Sequence, residues 1–169
     1  MKTDYKLYVK DIEDFPIKGI NFKDISPLLG SPFFKNAIHE MGSLVLKPNY
    51  WVGIESRGFI FASALSMEFG GGVLLCRKAG KLPGKIITES YDTEYSSDEL
   101  SIQLGTGSVV IVDDVLATGG TLATANKLCS SAGYFVKDHL VFIDLKYVPR
   151  SNHFLNTKIN SVKSLIIYE

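Results

Sequence analysis

The sequence has few of the residues that build disulfide-rich, membrane or nucleic-acid-binding proteins. Its 169 residues include two cysteines, Cys76 and Cys129, and both lie within apolar segments. Lysine plus arginine number 18 and aspartate plus glutamate number 18, so the formal net charge is zero. The charge balance argues against a nucleic-acid or membrane partner. The cysteines are predicted to be small core residues in a reducing compartment.

Targeting signals and the common nucleotide-binding motifs are also missing. The N-terminus is charged and has no apolar signal-peptide core, and no apolar run approaches a membrane span. There is no G-x-x-x-x-G-K-[ST], and no G-x-G-x-x-G opens a predicted helix, so nucleoside triphosphatase and dinucleotide-binding functions lose support. We expect a soluble cytoplasmic protein with a single domain over residues 1–169.

What the chain does contain is organised around residues 108–125, SVVIVDDVLATGGTLATA. The apolar run at its start is typical of a strand buried on both faces of a parallel sheet. Asp113 and Asp114 follow at the carboxyl end, where open α/β sheets bind their ligands. A turn of small residues and hydroxyls then leads into a helix, and free backbone N–H groups there favour an anion. The stretch predicts a site for a phosphorylated sugar, although paired acids before a Gly-Gly turn also occur as simple strand ends and helix caps.

Strands and helices alternate along the rest of the chain. We therefore predict a doubly wound α/β domain whose mainly parallel five-stranded sheet carries helices on both faces. A short helix is expected within residues 1–10, and the histidines His39, His139 and His153 are not expected to bind metal. The predicted strands are 50–54, 73–76, 109–112, 140–145 and 164–168, and the main predicted helices are 33–45, 59–69 and 122–129.

Two further loops carry charge at strand ends. Glu55-Ser56-Arg57-Gly58 separates a strand from a helix, and Arg57 is placed to meet an anion with its guanidinium fork. Residues 77–85 read RKAGKLPGK, with four cations in nine residues, interrupted by glycine and proline. Such a loop suits a diphosphate, although an isolated charge run is more often a solvated surface.

A β-hairpin is predicted between the buried strands 73–76 and 109–112. Residues 85–91 and 99–104 alternate apolar and polar side chains around an acidic, hydroxyl-rich tip. A hairpin inserted there is expected to form a lid that excludes water during the reaction.

Taken together, these motifs resemble the adenine phosphoribosyltransferase family of type I phosphoribosyltransferases along nearly the whole chain. The matching blocks are FKDISPLL (22–29), GIESRGFIF (53–61), RKAGKLPG (77–84), YDTEY (91–95) with ELSIQ (99–103), and VVIVDDVLATGGT (109–121). The resemblance implies transfer of a 5-phosphoribosyl group from phosphoribosyl pyrophosphate (PRPP) to N9 of adenine, giving AMP and pyrophosphate. It also implies a Mg²⁺ requirement, a homodimer, a small N-terminal base-binding hood (1–30) and a flexible lid (78–104).

The resemblance further assigns roles to individual residues. The catalytic group comprises Glu94, Arg57 and Tyr95, with Glu94 either a general base or an electrostatic and positioning group. Pyrophosphate is expected on Ser56, Arg57, Arg77, Lys78 and Lys81, the last from a mobile loop or a neighbouring subunit, and the Glu55–Ser56 peptide is expected to be cis. The ribose and its 5′-phosphate are assigned to Asp113, Asp114, Ala117, Thr118, Gly119, Gly120 and Thr121. The base is assigned to Asn21, Phe22 and Lys23, and Mg²⁺ is expected mainly on PRPP, with Asp113 and Asp114 as possible protein ligands.

Some positions depart from the family pattern. Asn21 is usually apolar there and Lys23 is more often arginine, so base preference is left open. The link at 104–107 is short and Ser96 replaces a common glycine, so altered lid motion is expected. A phosphoribosyltransferase for another nucleobase and a PRPP-binding regulator without catalysis remain the alternatives. The regulator is less favoured, because no basic helix-turn-helix segment accompanies the domain.

Overall fold

The computed structural model describes residues 3–92 and 97–169. Its elements, in chain order, are a 3₁₀ turn (Tyr5–Tyr8), β1 (Lys10–Ile12), β2 (Phe22–Asp24), α1 (Ser26–Leu29), α2 (Phe33–Gly42), β3 (Tyr50–Ile54), α3 (Gly58–Phe69), β4 (Gly72–Lys78), β5 (Ile86–Asp92), β6 (Ser97–Gln103), β7 (Gly107–Leu116), α4 (Gly120–Ser131), β8 (Tyr134–Leu145), α5 (Asn152–Leu155) and β9 (Lys163–Tyr168). Among the described residues no helix is both long and apolar enough to cross a bilayer.

The central sheet has the order β5-β6-β4-β3-β7-β8-β9 within the described part of the chain. The segment β4-β3-β7-β8-β9 is parallel throughout, which confirms the predicted parallel sheet. The predicted hairpin is β5–β6, and it pairs antiparallel with β4 through Arg77 opposite Ser101 and Lys78 opposite Leu100. The sheet therefore extends from five strands to seven, and the base of the hairpin is continuous with it.

An apolar core lies on each face of this sheet because successive residues of β7 point to opposite sides. Val110 and Val112 pack with the side chains of α2 and α3. Val109 and Ile111 pack with those of α4. Each of these residues is fully buried, and burial of such a side chain stabilises the fold by about 1.5–3 kcal/mol. Both cysteines are free and buried, as predicted.

The N-terminal segment differs from the helix predicted there. Its helical part is one 3₁₀ turn, which begins where the Asp4 carboxylate accepts a hydrogen bond from Lys6 N–H (3.1 Å). The chain then enters β1, which pairs antiparallel with β2 from Lys10 opposite Asp24 to Ile12 opposite Phe22. Pairing with a distant strand outweighs the weak local preference for a helix.

The strand β8 also begins earlier than predicted, at Tyr134 instead of Leu140. Its first residues alternate between exposed and buried positions while they pair with β7. An apolar run marks only the fully buried half of such a strand. His139, predicted to precede the strand, therefore lies within it and is buried.

Candidate active site

A cavity of about 360 Å³ opens at the carboxyl ends of β3 and β7. Parallel strands that neighbour each other present their following loops at the same edge, and this brings together residues far apart in sequence. The predicted site residues that line it are Asn21, Phe22, Lys23, Ser56, Arg57, Lys78, Asp113, Asp114, Ala117 and Thr121. A smaller cavity of about 100 Å³ adjoins it and is lined in part by Asp113, Ala117, Thr118, Gly119 and Thr121.

The two acids are held against the start of α3. Gly58 permits this approach, since a Cβ at that position would lie 2.7 Å from the Val112 carbonyl oxygen and 3.2 Å from Asp113 Oδ1. Asp113 Oδ1 also accepts a hydrogen bond from Asp114 N–H (2.9 Å). Burial, together with the neighbouring Asp114 carboxylate, raises the pKa of Asp113 well above its ordinary value. The site therefore disfavours negative charge on Asp113 until hydroxyls or a cation approach it.

Arg57 connects the two acids to the side of the cavity that residues 21–23 line. Its Nε lies 2.7 Å from Asp114 Oδ2, and its Nη1 donates to the carbonyl oxygen of Lys23 (3.1 Å). The guanidinium carbon lies 4.5 Å from the centre of the Phe22 ring, a cation–π distance. Within the described residues Asp114 Oδ2 has no aligned hydrogen-bond donor, so its contact with Arg57 is a charge pair. One cation thus contacts both Asp114, predicted to bind the ribose, and the ring of Phe22, predicted to bind the base.

Glu55 contacts three residues of the basic loop 77–85, and it was not among the site residues predicted from the sequence. Its carboxylate lies 2.6 Å from Lys81 Nζ and 3.3 Å from Arg77 Nε, and it accepts a hydrogen bond from Lys78 N–H (2.9 Å). Burial opposes the charge, but these donors together lower the pKa of Glu55 below its ordinary value. Lys81 reaches this cluster within its own chain. The following peptide, Glu55–Ser56, is cis as the family resemblance implied.

The side of the cavity that is predicted to bind the base contains Asn21 and Lys23, which depart from the family pattern. Asn21 is exposed and lines the cavity. The Lys23 ammonium turns away to pair with Asp11 and lies 4.1 Å from the Tyr168 ring centre. Replacement of arginine by lysine at 23 therefore changes an anchor between β1, β2 and β9, while the backbone of residue 23 remains beside the cavity.

The loop Ala117–Thr121, here called the phosphate loop, turns from β7 into α4. Gly119 adopts a φ of 84°, which side chains disfavour, and a Cβ there would lie 2.4 Å from the Phe154 ring. Gly120 begins α4, so the backbone donors of the first helical turn face the end of this loop. The loop is therefore shaped for close contact between its backbone and an anion.

Sequence reasoning also missed Arg150 and Asp144. Arg150 pairs with Asp144 and donates to the carbonyl oxygens of Ala117 and Leu145. The signal available in the sequence was an acid within the apolar end of β8 and an arginine shortly after it. Neither residue belongs to a recognised motif, because their relation depends on the path of the chain after β8.

The remaining predictions concern the lid residues, a protein-bound metal ion and the histidines. Glu94 and Tyr95 lie outside the described residues. In the described ranges, no three His, Cys, Asp or Glu side chains lie close enough together to hold a metal ion. His39 Nδ1 lies 3.0 Å from Glu68, and His153 Nε2 lies 3.0 Å from Thr124 Oγ1. Buried His139 has Nε2 2.9 Å from Asn126 Oδ1, and its burial lowers its pKa to about 4.

Known proteins with similar sequences and structures share this architecture. The sequence model of the family described as "Phosphoribosyl transferase domain" matches residues 38–134. An adenine phosphoribosyltransferase of Carboxydothermus hydrogenoformans is 46% identical over 149 residues, which is 84% of this chain and 88% of that protein.

Solved structures agree with the sequence relatives. The adenine phosphoribosyltransferase of Thermoanaerobacter pseudethanolicus superimposes with a TM-score of 0.86 at 36% identity and covers 98% of both chains. The APRTase of Giardia lamblia, solved in complex with 9-deazaadenine, superimposes with a TM-score of 0.84 at 34% identity, covering 98% of this chain and 97% of that one. From its sequence and its fold, the chain belongs to the adenine phosphoribosyltransferase family.

Proposed function

We propose that this protein transfers the 5-phosphoribosyl group of PRPP to N9 of adenine, producing AMP and pyrophosphate for purine salvage. The observation that carries the proposal is the cavity of about 360 Å³, because residues assigned to the base (Asn21, Phe22), to the ribose (Asp113, Asp114) and to the diphosphate (Arg57, Lys78) open onto it together. The named relatives support the same reaction, and the Giardia APRTase binds an adenine analogue. The base-binding side is assigned to the hood, residues 1–30.

The reaction breaks the bond between the ribose C1′ and the pyrophosphate oxygen and forms a bond from C1′ to N9, which loses its proton. Positive charge develops on the ribose ring while negative charge accumulates on the leaving diphosphate. Arg57 and Lys78 line the cavity and are available to that diphosphate. The chemistry then depends mainly on alignment of the reactants and on charge stabilisation in a site closed to water.

Mg²⁺ is proposed as the cofactor, and the residues present fit it. Mg²⁺ prefers oxygen ligands and is commonly held by one or two carboxylates together with substrate phosphates. The carboxylates of Asp113 and Asp114 line the cavity beside the residues assigned to the diphosphate. When bound with PRPP, Mg²⁺ would neutralise charge on the diphosphate. The protein's own acids would orient the ribose hydroxyls.

The lid, residues 78–104, is proposed to close over the cavity and to bring Glu94 and Tyr95 to the substrates. Its base is anchored, since β6 pairs with β4 and Lys127 Nζ of α4 lies 2.8 Å from Glu89 of β5. An anchored hairpin restricts closure to its tip. Glu94 is proposed to act on the base as it reacts, either by accepting its proton or by electrostatic stabilisation.

A homodimer in the cytoplasm is the proposed state of the protein. Helix α3 is apolar around much of its circumference, with Ile60 and Met67 left 41% and 88% exposed. A helix of that character is normally buried on more than one side. The two free, buried cysteines fit a reducing compartment. Light scattering of the purified protein tests the dimer, and a monomer at micromolar concentration would contradict it.

The deciding experiment is product formation from PRPP and Mg²⁺ with adenine, hypoxanthine, guanine, xanthine and orotate in parallel. AMP from adenine alone supports the proposal. Turnover of a different base instead would refute the assignment to adenine and would move specificity to Asn21. Binding of PRPP without turnover of any base would favour a regulator and refute the enzyme.

A further inference from the structure

The chain segment that follows β8 packs against the phosphate loop and lines neither of the two cavities described above. This segment, residues 150–154, is here called the strap. Arg150 donates a hydrogen bond to the Ala117 carbonyl oxygen, and Ser151 N–H donates to the Thr118 carbonyl oxygen (2.9 Å). The Phe154 ring packs against Gly119, where a Cβ would lie 2.4 Å from it. Three successive loop residues are therefore held by one short segment.

The strap is itself fixed to the sheet. Arg150 forms an ion pair with Asp144 near the end of β8, and the side chains of these residues are only 18% and 7% exposed. Arg150 also donates to the Leu145 carbonyl oxygen (3.1 Å). A guanidinium can satisfy a carboxylate and two carbonyl groups at once because its donors are spread over a rigid plane. The position of the strap is therefore fixed by a buried ion pair with a core strand, and this pair also compensates the charge of Arg150.

These hydrogen bonds determine which way the backbone of the loop faces. In a trans peptide the C=O and the following N–H point in opposite directions. With the carbonyl groups of Ala117 and Thr118 turned toward the strap, the N–H groups of Thr118 and Gly119 face the other side of the loop. The cavity of about 100 Å³ lies along this loop, and among the described residues its lining includes Thr118 and Gly119 but no residue of the strap.

We propose that Arg150 and Ser151 are positioning residues that aim the backbone donors of the phosphate loop at the 5′-phosphate of the ribose. This inference rests on the proposed function, because that function supplies the phosphate. The strap does not touch the substrate; it acts through the peptide groups of Ala117 and Thr118. Loss of a strap bond frees a peptide plane to rotate, which removes a donor from the anion site without altering the residues assigned to pyrophosphate.

The test compares two ligands that occupy different parts of the site, ribose 5-phosphate and pyrophosphate, by calorimetric titration of the full chain. Arg150→Lys keeps the positive charge but cannot bridge Asp144 and both carbonyl groups. Ser151→Pro removes the backbone donor at a residue whose φ of −64° already suits proline. Ser151→Ala is its matched control, since it loses only the hydroxyl and keeps the N–H group.

We expect Arg150→Lys and Ser151→Pro to weaken ribose 5-phosphate binding by about tenfold, with pyrophosphate affinity within about twofold of the wild type. In kinetics the KM for PRPP should rise while the KM for adenine stays constant. Ser151→Ala should remain close to the wild type in both titrations.

Unchanged ribose 5-phosphate affinity in both variants would overturn the inference, and so would a wild type that does not bind this ligand. A parallel loss of both ligands and of thermal stability would show that the strap is only structural. Absence of AMP formation by a wild type whose affinity for ribose 5-phosphate depends on the strap, as the variants measure it, would instead refute the proposed function alone.

Discussion

Replacing Asp113 by asparagine should stabilise the protein and weaken its binding of PRPP at the same time. Burial and the adjacent Asp114 carboxylate raise the pKa of Asp113, so the folded protein binds this proton more tightly than the unfolded chain does. The free energy of unfolding therefore falls as the pH rises from the pKa of Asp113 in the unfolded chain to its higher pKa in the folded protein. Above the folded-state pKa the loss is complete. Asparagine removes the charge, and its side-chain oxygen can still accept the hydrogen bond from Asp114 N–H.

The size of both effects follows from the structure. Each pKa unit by which Asp113 is raised corresponds to about 1.4 kcal/mol, and 1 kcal/mol moves the Tm of a chain of this size by about 2–4 °C. The Tm of the variant at neutral pH should therefore be roughly 3–6 °C higher for each unit by which the pKa is raised. A charge-assisted hydrogen bond to a ribose hydroxyl contributes about 1.5–3 kcal/mol, so PRPP affinity should fall by roughly 10- to 150-fold.

The assay is differential scanning fluorimetry at pH 4 to 8, combined with titration of PRPP in the presence of Mg²⁺. Asp114→Asn is the control, because it removes the charge that faces Arg57 at 2.7 Å and should not raise the Tm. A lower Tm for Asp113→Asn at neutral pH would refute the electrostatic reasoning. Unchanged PRPP affinity in both variants would remove the assignment of the acids to the ribose.

The remaining predictions concern other charges. Glu55→Gln should tighten pyrophosphate binding by about tenfold, because it removes an anion that lies 2.6 Å from Lys81 Nζ, and weaker binding would show instead that Glu55 preorganises the cations. Glu94→Ala should lower kcat far more than it raises either KM, and an effect confined to KM would make the lid a passive cover. Buried His139 has its pKa lowered to about 4, so its neutral form stabilises the fold above its unfolded pKa and this contribution is lost as the pH falls toward 4. The loss of folding free energy amounts to about 3 kcal/mol. His139→Gln should therefore make the Tm depend less on pH between pH 4 and 7. An unchanged slope would show that His139 is not the source of this pH dependence.

Residues near the carboxyl ends of the buried strands were predictable from the sequence. Asp113 and Asp114 follow an apolar run, and Arg57 follows another; both runs form neighbouring parallel strands, β7 and β3. The strand β7 is longer than the predicted 109–112, because its pairing with β8 continues through Asp113 to Leu116, so both acids lie within it. Local pattern suffices here because burial on both faces demands continuous apolar sequence, and the polar residues at its end have to lie at the sheet edge. The phosphate loop was predictable for the same reason.

The sequence by itself therefore determined the kind of fold, the family and the strand ends near which the residues predicted for ribose and phosphate lie. Only the tertiary structure decided that Glu55 gathers the basic loop, that the Lys23 ammonium turns to Asp11, and that Arg150 holds the phosphate loop. These contacts join residues separated by 12 to 33 positions. No local periodicity records them, because they depend on how the loops fold back over the sheet once its cores are packed.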